Sequence, residues 1–200
     1  MNKKSRVFVA GHTGMVGSAI TRRLIDKGYT EVITQRHAEL PLDDARAVTD
    51  FFASEKPEYV VLAAAKVGGI IANSTLGADF IRVNLQIQTN VIDAAYRNGA
   101  RRLLFLGSSC IYPKLATQPI MEDALLTGPL EETNLPYAVA KIAGKVMCDA
   151  YSKQFGFDAF TVMPPNVYGI NDNFSPENSH VVAGMMRRFH EAKLAGDERV

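Results

Sequence analysis

Two hundred residues, 47% hydrophobic and 22% charged, are enough for one well-packed core and exclude a disordered or fibrous chain. With 22 Lys and Arg against 21 Asp and Glu, the net charge of +1 offers no basis for a nucleic-acid or anionic-membrane partner. The basic start is followed by only a short apolar stretch, too short for a signal peptide, no run reaches membrane-spanning length, and Cys110 and Cys148 lack metal-ligand spacing, so a cytoplasmic chain with no metal is expected.

Residues 6–10 (RVFVA) read as a buried strand feeding a glycine turn. Residues 15–27 carry Val16, Ala19, Ile20 and Leu24 at helical spacing and stop before Gly28, a natural C-terminal cap. A second strand is predicted over 31–34, and a helix with an acidic start over 43–55, with Pro57 just beyond it. A third strand over 59–62 runs into Ala63, Ala64 and Ala65. A long helix over 79–98 leads to a fourth strand over 102–106, ending at Gly107-Ser108-Ser109. A proline-rich segment, 113–136, precedes a helix over 137–155 and a last strand over 159–163. A polar stretch over 171–179 and a helix over 181–195 follow. The charged stub Gly196-Asp197-Glu198-Arg199-Val200 makes the chain look cut short. Alternating strands and helices predict a Rossmann-type, doubly wound parallel sheet with helices on both faces. Its domain would occupy 1–165, with 166–200 the start of a substrate region largely missing. Ligands bind such sheets beyond the carboxyl ends of the strands, the edge where Gly11, the 63–65 alanines, Ser108 and 164–166 collect.

Gly11-His12-Thr13-Gly14-Met15-Val16-Gly17 has one residue more between its first two glycines than the dinucleotide fingerprint, with the same physics. The turn is tight, backbone comes close to a pyrophosphate, and a helix N-terminus favours the anion. Strand two ends in Thr34-Gln35-Arg36-His37 with no acid before Glu39, so Arg36, with His37 beside it, favours a 2′-phosphate and hence NADP. Asp43 or Asp44 either approaches the adenine or caps its helix.

Tyr137 and Lys141 stand one helical turn apart on one face, so an ammonium beside the phenol is expected to lower its pKa. Ser108, at a strand end, would complete a proton-transfer group around a substrate carbonyl. Cys110 lies beside that carbonyl site, although a lone cysteine is more often a small buried hydrophobe. Cys148 reads as core, and His12 and His190 as structural or surface groups.

Four runs carry a resemblance: 10–17 around the glycines, Ala64-Ala65-Lys66-Val67-Gly68-Gly69-Ile70, Ser108-Ser109-Cys110-Ile111-Tyr112-Pro113, and Asn178-Ser179-His180-Val181. Together they resemble the extended short-chain dehydrogenase/reductase family, over essentially the whole chain. The resemblance implies a bifunctional epimerase and reductase acting on GDP-4-keto-6-deoxy-D-mannose with NADPH, as a homodimer through the helices over 79–98 and 137–155. It implies that Ser108 and Tyr137 hydrogen-bond the C4 carbonyl, that Lys141 supports the tyrosine and the nicotinamide ribose, and that Cys110 and His180 move protons at C3 and C5. The cofactor would lie along Gly11, Gly14, Met15, Val16, Gly17, Arg36, Ala63, Ala65, Tyr137, Lys141, Pro164, Asn166, Val167 and His180. The sugar nucleotide would meet Ser108, Ser109, Asn166, Val181 and Arg188, the last toward its phosphates, where bidentate pairing suits arginine. Thr13 and His37 stand where family members often carry arginine, which leaves Arg36 nearest the 2′-phosphate. Members of the family also continue for roughly another hundred residues, a length normal for part of a domain. Two other readings are a nucleotide-sugar 4-epimerase or dehydratase on the same scaffold, and a non-catalytic NADP-binding protein.

Overall fold

The computed structural model describes the chain except Glu177, Glu198 and Val200, and the side chains of Ile70 and Ile71; two residues of the charged stub thus lie outside the described residues. Five parallel strands, β1 (Val7–Ala10), β2 (Val32–Ile33), β3 (Tyr59–Leu62), β4 (Arg102–Leu106) and β5 (Asp158–Val162), lie in the order β2-β1-β3-β4-β5. Among the described residues, six α-helices connect or follow them: α1 (Met15–Asp26), α2 (Ala45–Glu55), α3 (Ile70–Thr75), α4 (Gly77–Arg97), α5 (Leu135–Phe155) and α6 (Val181–Ala195).

The expected doubly wound sheet is present. From β1 the chain turns one way to β2 and then the other way to β3, so right-handed crossovers put α1 on one face and α2, α4 and α5 on the other. The reversal makes the gap between β1 and β3 the switch point where such sheets bind ligands. Between the sheet and α2, α4 and α5 sits the main core, with Phe8, Phe52, Val60, Leu62, Leu103, Phe105 and Ile92 all nearly inaccessible. The other face is buried at β1 (Val7 and Val9) but open at β5, where Phe160 is 40% and Val162 38% exposed. Cover on both faces, expected from the alternation, is complete on one side and thinner on the other, where α1 packs over β1 and β2 and β5 is left partly exposed.

Boundaries differ for local reasons. Asp44 caps α2, its carboxylate accepting from the Arg46 and Ala47 amides, so the helix starts at Ala45. Pro136 occupies the first turn of α5, where its missing N–H costs nothing, so that helix begins before Tyr137. The short α3 was not expected; Asn73 within it donates to the Gly68 and Gly69 carbonyls and folds the preceding loop back. The proline-rich segment contains two single 3-10 turns, Glu122–Ala124 and Glu132–Asn134.

Candidate active site

β4 delivers Ser108. At Gly107 a Cβ would come within 2.4 Å of the Met163 sulfur and 3.2 Å of the Val162 carbonyl oxygen, so glycine lets the strand end lie close against the exit of β5. Ser108 then caps a single 3-10 turn, Ser109–Ile111, accepting from the Cys110 amide at 3.4 Å and setting the thiol two residues on beside it. From the opposite side, α5 presents Tyr137 and Lys141 one turn apart. The Ser108 hydroxyl lies close enough to both the Tyr137 phenol and the Cys110 thiol to pull each pKa down, so a serine, a thiol, a phenol and an amine meet beyond the carboxyl end of β4.

Lys141 is 3% exposed, and its ammonium donates to the Leu106 carbonyl at 2.7 Å. It sits 4.7 Å from the centre of the Phe105 ring and 5.8 Å from that of Tyr137. Burial lowers its pKa from 10.5 to about 8, partly offset by Cys110. Burial likewise pushes the Tyr137 phenol well above its ordinary range, helped by Cys110 and opposed by the Ser108 hydroxyl. The expectation that the ammonium lowers the tyrosine pKa is thus not met: desolvation sets the direction, and the amine is committed to the Leu106 backbone carbonyl. Burial also raises the Cys110 thiol, against opposing pulls from Ser108 and Lys141. At neutral pH this is a cluster of protonated donors.

The glycine turn forms a backbone cradle at the switch point. Gly11, at φ +87°, lies so close to β3's exit that a Cβ would be 2.6 Å from the Ala64 amide nitrogen. A Cβ on Gly17 would fall 2.1 Å from the Gly11 carbonyl oxygen. Among the described residues no side chain caps the α1 N-terminus, whose free amides suit an anion, and the His12 Nδ1 beside it is a buried atom without a partner. Met15 and Val16 open the helix, and the Ala63 amide is fixed by the Ala10 carbonyl at 3.0 Å. Just past β2, Arg36 is exposed; Glu39, the nearest acid, is occupied with the Arg36 amide at 2.9 Å rather than held out toward a ribose. A dinucleotide with a 2′-phosphate fits this donor set. Of the two candidate aspartates, Asp44 serves as the helix cap.

The remaining candidates line the rim. Pro164, Asn166 and Val167 follow β5, and His180 is the exposed N-cap of α6, followed by exposed Val181 and, two turns on, exposed Arg188. Asn178 and Ser179 rest on Gly69 of the loop after β3, and Gly68 abuts Phe80, whose ring meets that of Tyr137 edge-on at 6.3 Å. His180 therefore stands on the same side as the four-residue cluster but outside it, while Ser109 points out, exposed. Sequence reading missed Asn84, 3% exposed in α4, whose amide clamps both the N–H and the carbonyl of Lys66 at 2.9 Å and so holds that loop. A polar residue among the buried positions of an amphipathic helix is the signal that would have found it.

The sequence model of the NAD dependent epimerase/dehydratase family matches residues 7–200. The chain belongs to that family. Its relatives include a putative GDP-L-fucose synthase 2 from Arabidopsis thaliana, 62% identical over all of this chain and 61% of the relative. The GDP-L-fucose synthase of Escherichia coli K12 is 59% identical over 94% of this chain and 59% of its own length. Among solved structures, a GDP-L-fucose synthetase from Naegleria fowleri bound to NADP superposes with a TM-score of 0.89 at 27% identity, covering 100% of this chain and 66% of that one. The chain thus spans about 60% of the length of the curated relatives it matches. The parallel sheet and its glycine turn are the family's fold.

Proposed function

We propose that this chain carries the cofactor site and the proton-transfer group of an NADPH-dependent enzyme that epimerises GDP-4-keto-6-deoxy-D-mannose at C3 and C5 and reduces it at C4 to GDP-L-fucose. The observation that carries the reading is the convergence of Ser108, Cys110, Tyr137 and Lys141 at one strand end, beside the backbone cradle at Gly11 and Gly17. Its similarity to plant and bacterial GDP-L-fucose synthases, and to a structure bound to NADP, supports the same conclusion.

A 4-ketone acidifies the C–H bonds on both sides of it, so one set of donors at the C4 oxygen serves both epimerisations. Ser108 and the protonated Tyr137 hold that oxygen and stabilise the enolate, a contribution of about 3–4 kcal/mol per donor in comparable sites. Cys110 and His180 move the protons at C3 and C5, each worth roughly 10²–10⁴-fold. When bound, NADPH supplies the hydride for C4. The raised Tyr137 pKa suits this direction of reaction, because a phenol that stays protonated is ready to give its proton to the C4 oxygen. Gly11, Gly14, Met15, Val16 and Gly17 hold the pyrophosphate, Arg36 the 2′-phosphate, Ala63 and Ala65 the cofactor's flank, and Lys141 its ribose. Residues 1–165 form the cofactor domain, and 166–200 begin the sugar-nucleotide site through Asn166, Val181 and Arg188. A homodimer through α4 and α5 fits the exposed Val139, Val146 and Phe155 of α5, and two free cysteines suit a cytoplasmic enzyme.

The test is incubation with NADPH and GDP-4-keto-6-deoxy-D-mannose in heavy water, followed by NMR of the product. GDP-L-fucose with deuterium at both C3 and C5 is expected, and Cys110→Ser should slow deuterium entry while NADPH still binds. Reduction without deuterium would make the protein a plain ketoreductase. NADPH binding with no turnover, in this chain and in one lengthened to match its relatives, would sink the reading.

A further inference from the structure

The segment 164–180 leaves β5 and ends at His180, and the hydrogen bonds of its described residues are mostly internal. The Asp172 amide meets the Gly169 carbonyl, the Asn173 amide the Asp172 carboxylate, the Ser175 amide Asn173, and the Asn178 amide the Ser175 hydroxyl. Among the described residues, one bond leaves the segment for a distant part of the chain. Asn171 Nδ2 donates to Ser18 Oγ at 3.0 Å across 153 residues of sequence. Ser18 is 7% exposed and belongs to the first turns of α1, one residue past Gly17. Its hydroxyl donates to the Met15 carbonyl at 3.0 Å and accepts from Arg22 at 3.1 Å, so with Asn171 its one proton and both lone pairs are in use. Asn171 reaches it from a left-handed backbone, φ +68°, which asparagine tolerates better than most residues.

We propose that Asn171 is a positioning residue that anchors the His180-bearing segment to the turn of α1 that receives the cofactor, so that filling the glycine turn steadies the substrate side of the site. The coupling rests on the reading of that turn as a dinucleotide site. The physical link is short. A pyrophosphate draws on the first amides of α1 and fixes the turn whose Met15 carbonyl Ser18 holds, and Ser18 holds Asn171. The segment is thereby pinned at two points, by Ser18 at Asn171 near its middle and by Gly69 under Ser179 near its end.

Chymotrypsin reads this directly in the full chain. Tyr168 (69% exposed) and Phe174 (42%) flank Asn171, and Leu115, 91% exposed on a distant loop, serves as internal reference. Cleavage at each site is followed by mass spectrometry in the wild type, in Asn171→Gly, which keeps the backbone conformation accessible, and in Ser18→Ala, which leaves the segment's own sequence untouched. Loss of one net hydrogen bond should raise cutting at Tyr168 and Phe174 about fivefold in either variant. Cutting at Leu115 should stay constant, and the double variant should exceed neither single by much. Saturating NADPH should slow the two cuts in the wild type and lose most of that effect in the variants. Unchanged cutting in Ser18→Ala would overturn the anchor, and NADPH that binds without protecting the segment would overturn the coupling. Failure of NADPH to bind the wild type would instead sink the dinucleotide reading, and the anchor would then stand or fall on the variants without cofactor.

Discussion

At the scale of single residues, Lys141 shows which force wins in the site. An ammonium held at 3% exposure, with a carbonyl and an aromatic face for company, keeps its proton less firmly than in water, and its pKa falls from 10.5 to about 8. The folded chain therefore releases this proton before the unfolded chain does. Below pH 8 both states are charged and the folded one bears the full cost of burial. As pH rises from 8 toward 10.5 the unfolded state binds more protons, and stability increases. Between about pH 7.5 and about 9.5 the gain from this group is roughly 2 kcal/mol. The thiols of Cys110 and Cys148, both raised by burial, act in the opposite sense as pH passes 9, and so does Tyr137 above 10. The readout must therefore be a difference. Urea midpoints of wild type and Lys141→Met, measured across that range without cofactor, should diverge by about that amount in favour of the wild type as pH rises. A pH-independent difference would mean that the ammonium is better solvated than its burial implies.

At the scale of elements, the site depends on how closely α5 lies on β4. A Cβ at Gly144 would fall 2.4 Å from Phe105 Cζ and 2.7 Å from Gln88 Oε1. Neither neighbour can retreat: Phe105 is 1% exposed, and Gln88 donates to the Ala140 carbonyl at 2.7 Å. Gly144→Ala would gain about 1 kcal/mol of helix propensity. Overpacking costs roughly 1–3 kcal/mol, and here the obstacles are an enclosed ring and a bonded amide, so overpacking should win. A lowered thermal midpoint is the expected result, together with weaker NADPH binding, because α5 carries Tyr137 and Lys141. A raised midpoint would show that the helices can spread. Glycine was readable in the sequence at 144, but its reason was not, since Phe105 and Gln88 approach it from distant parts of the chain. The same division runs through the fold. β3, β4, α1 and α6 were legible from periodicity and from glycine and proline stops. The six-residue α3 carries no period and exists because Asn73 closes it on its own loop. Tyr137 and Lys141 were legible as a pair because one helical turn relates them. The Leu106 carbonyl, which takes the lysine, lies 35 residues away and could not be seen.

For the whole molecule, the two faces of the sheet are finished differently. Against α2, α4 and α5 the strands are sealed. Across the other face Val7 and Val9 are buried, whereas Phe160 and Val162 of β5 are 40% and 38% exposed. In the same chain half, α6 presents Val182 at 42%, Met185 at 46%, Met186 at 52% and Phe189 at 52%. Covering such half-exposed side chains is worth about 1 kcal/mol each, from a full value of roughly 1.5–3 kcal/mol. Apolar surface of this kind marks a contact face when it is contiguous. The curated relatives are longer than the matched region, the chain covering 61% of one and 59% of another. A polypeptide lengthened to match them should cover this face. The 200-residue chain should therefore bind the dye ANS strongly, and the lengthened one weakly, with a higher urea midpoint for unfolding of the shared part. Replacing Phe160 and Val162 together by threonine separates the outcomes. In the short chain it should cut dye binding with little loss of stability, because those side chains face water there; in the lengthened chain it should lower the midpoint. Equal dye binding by the two lengths would mean that the β5 face is left for another molecule to cover.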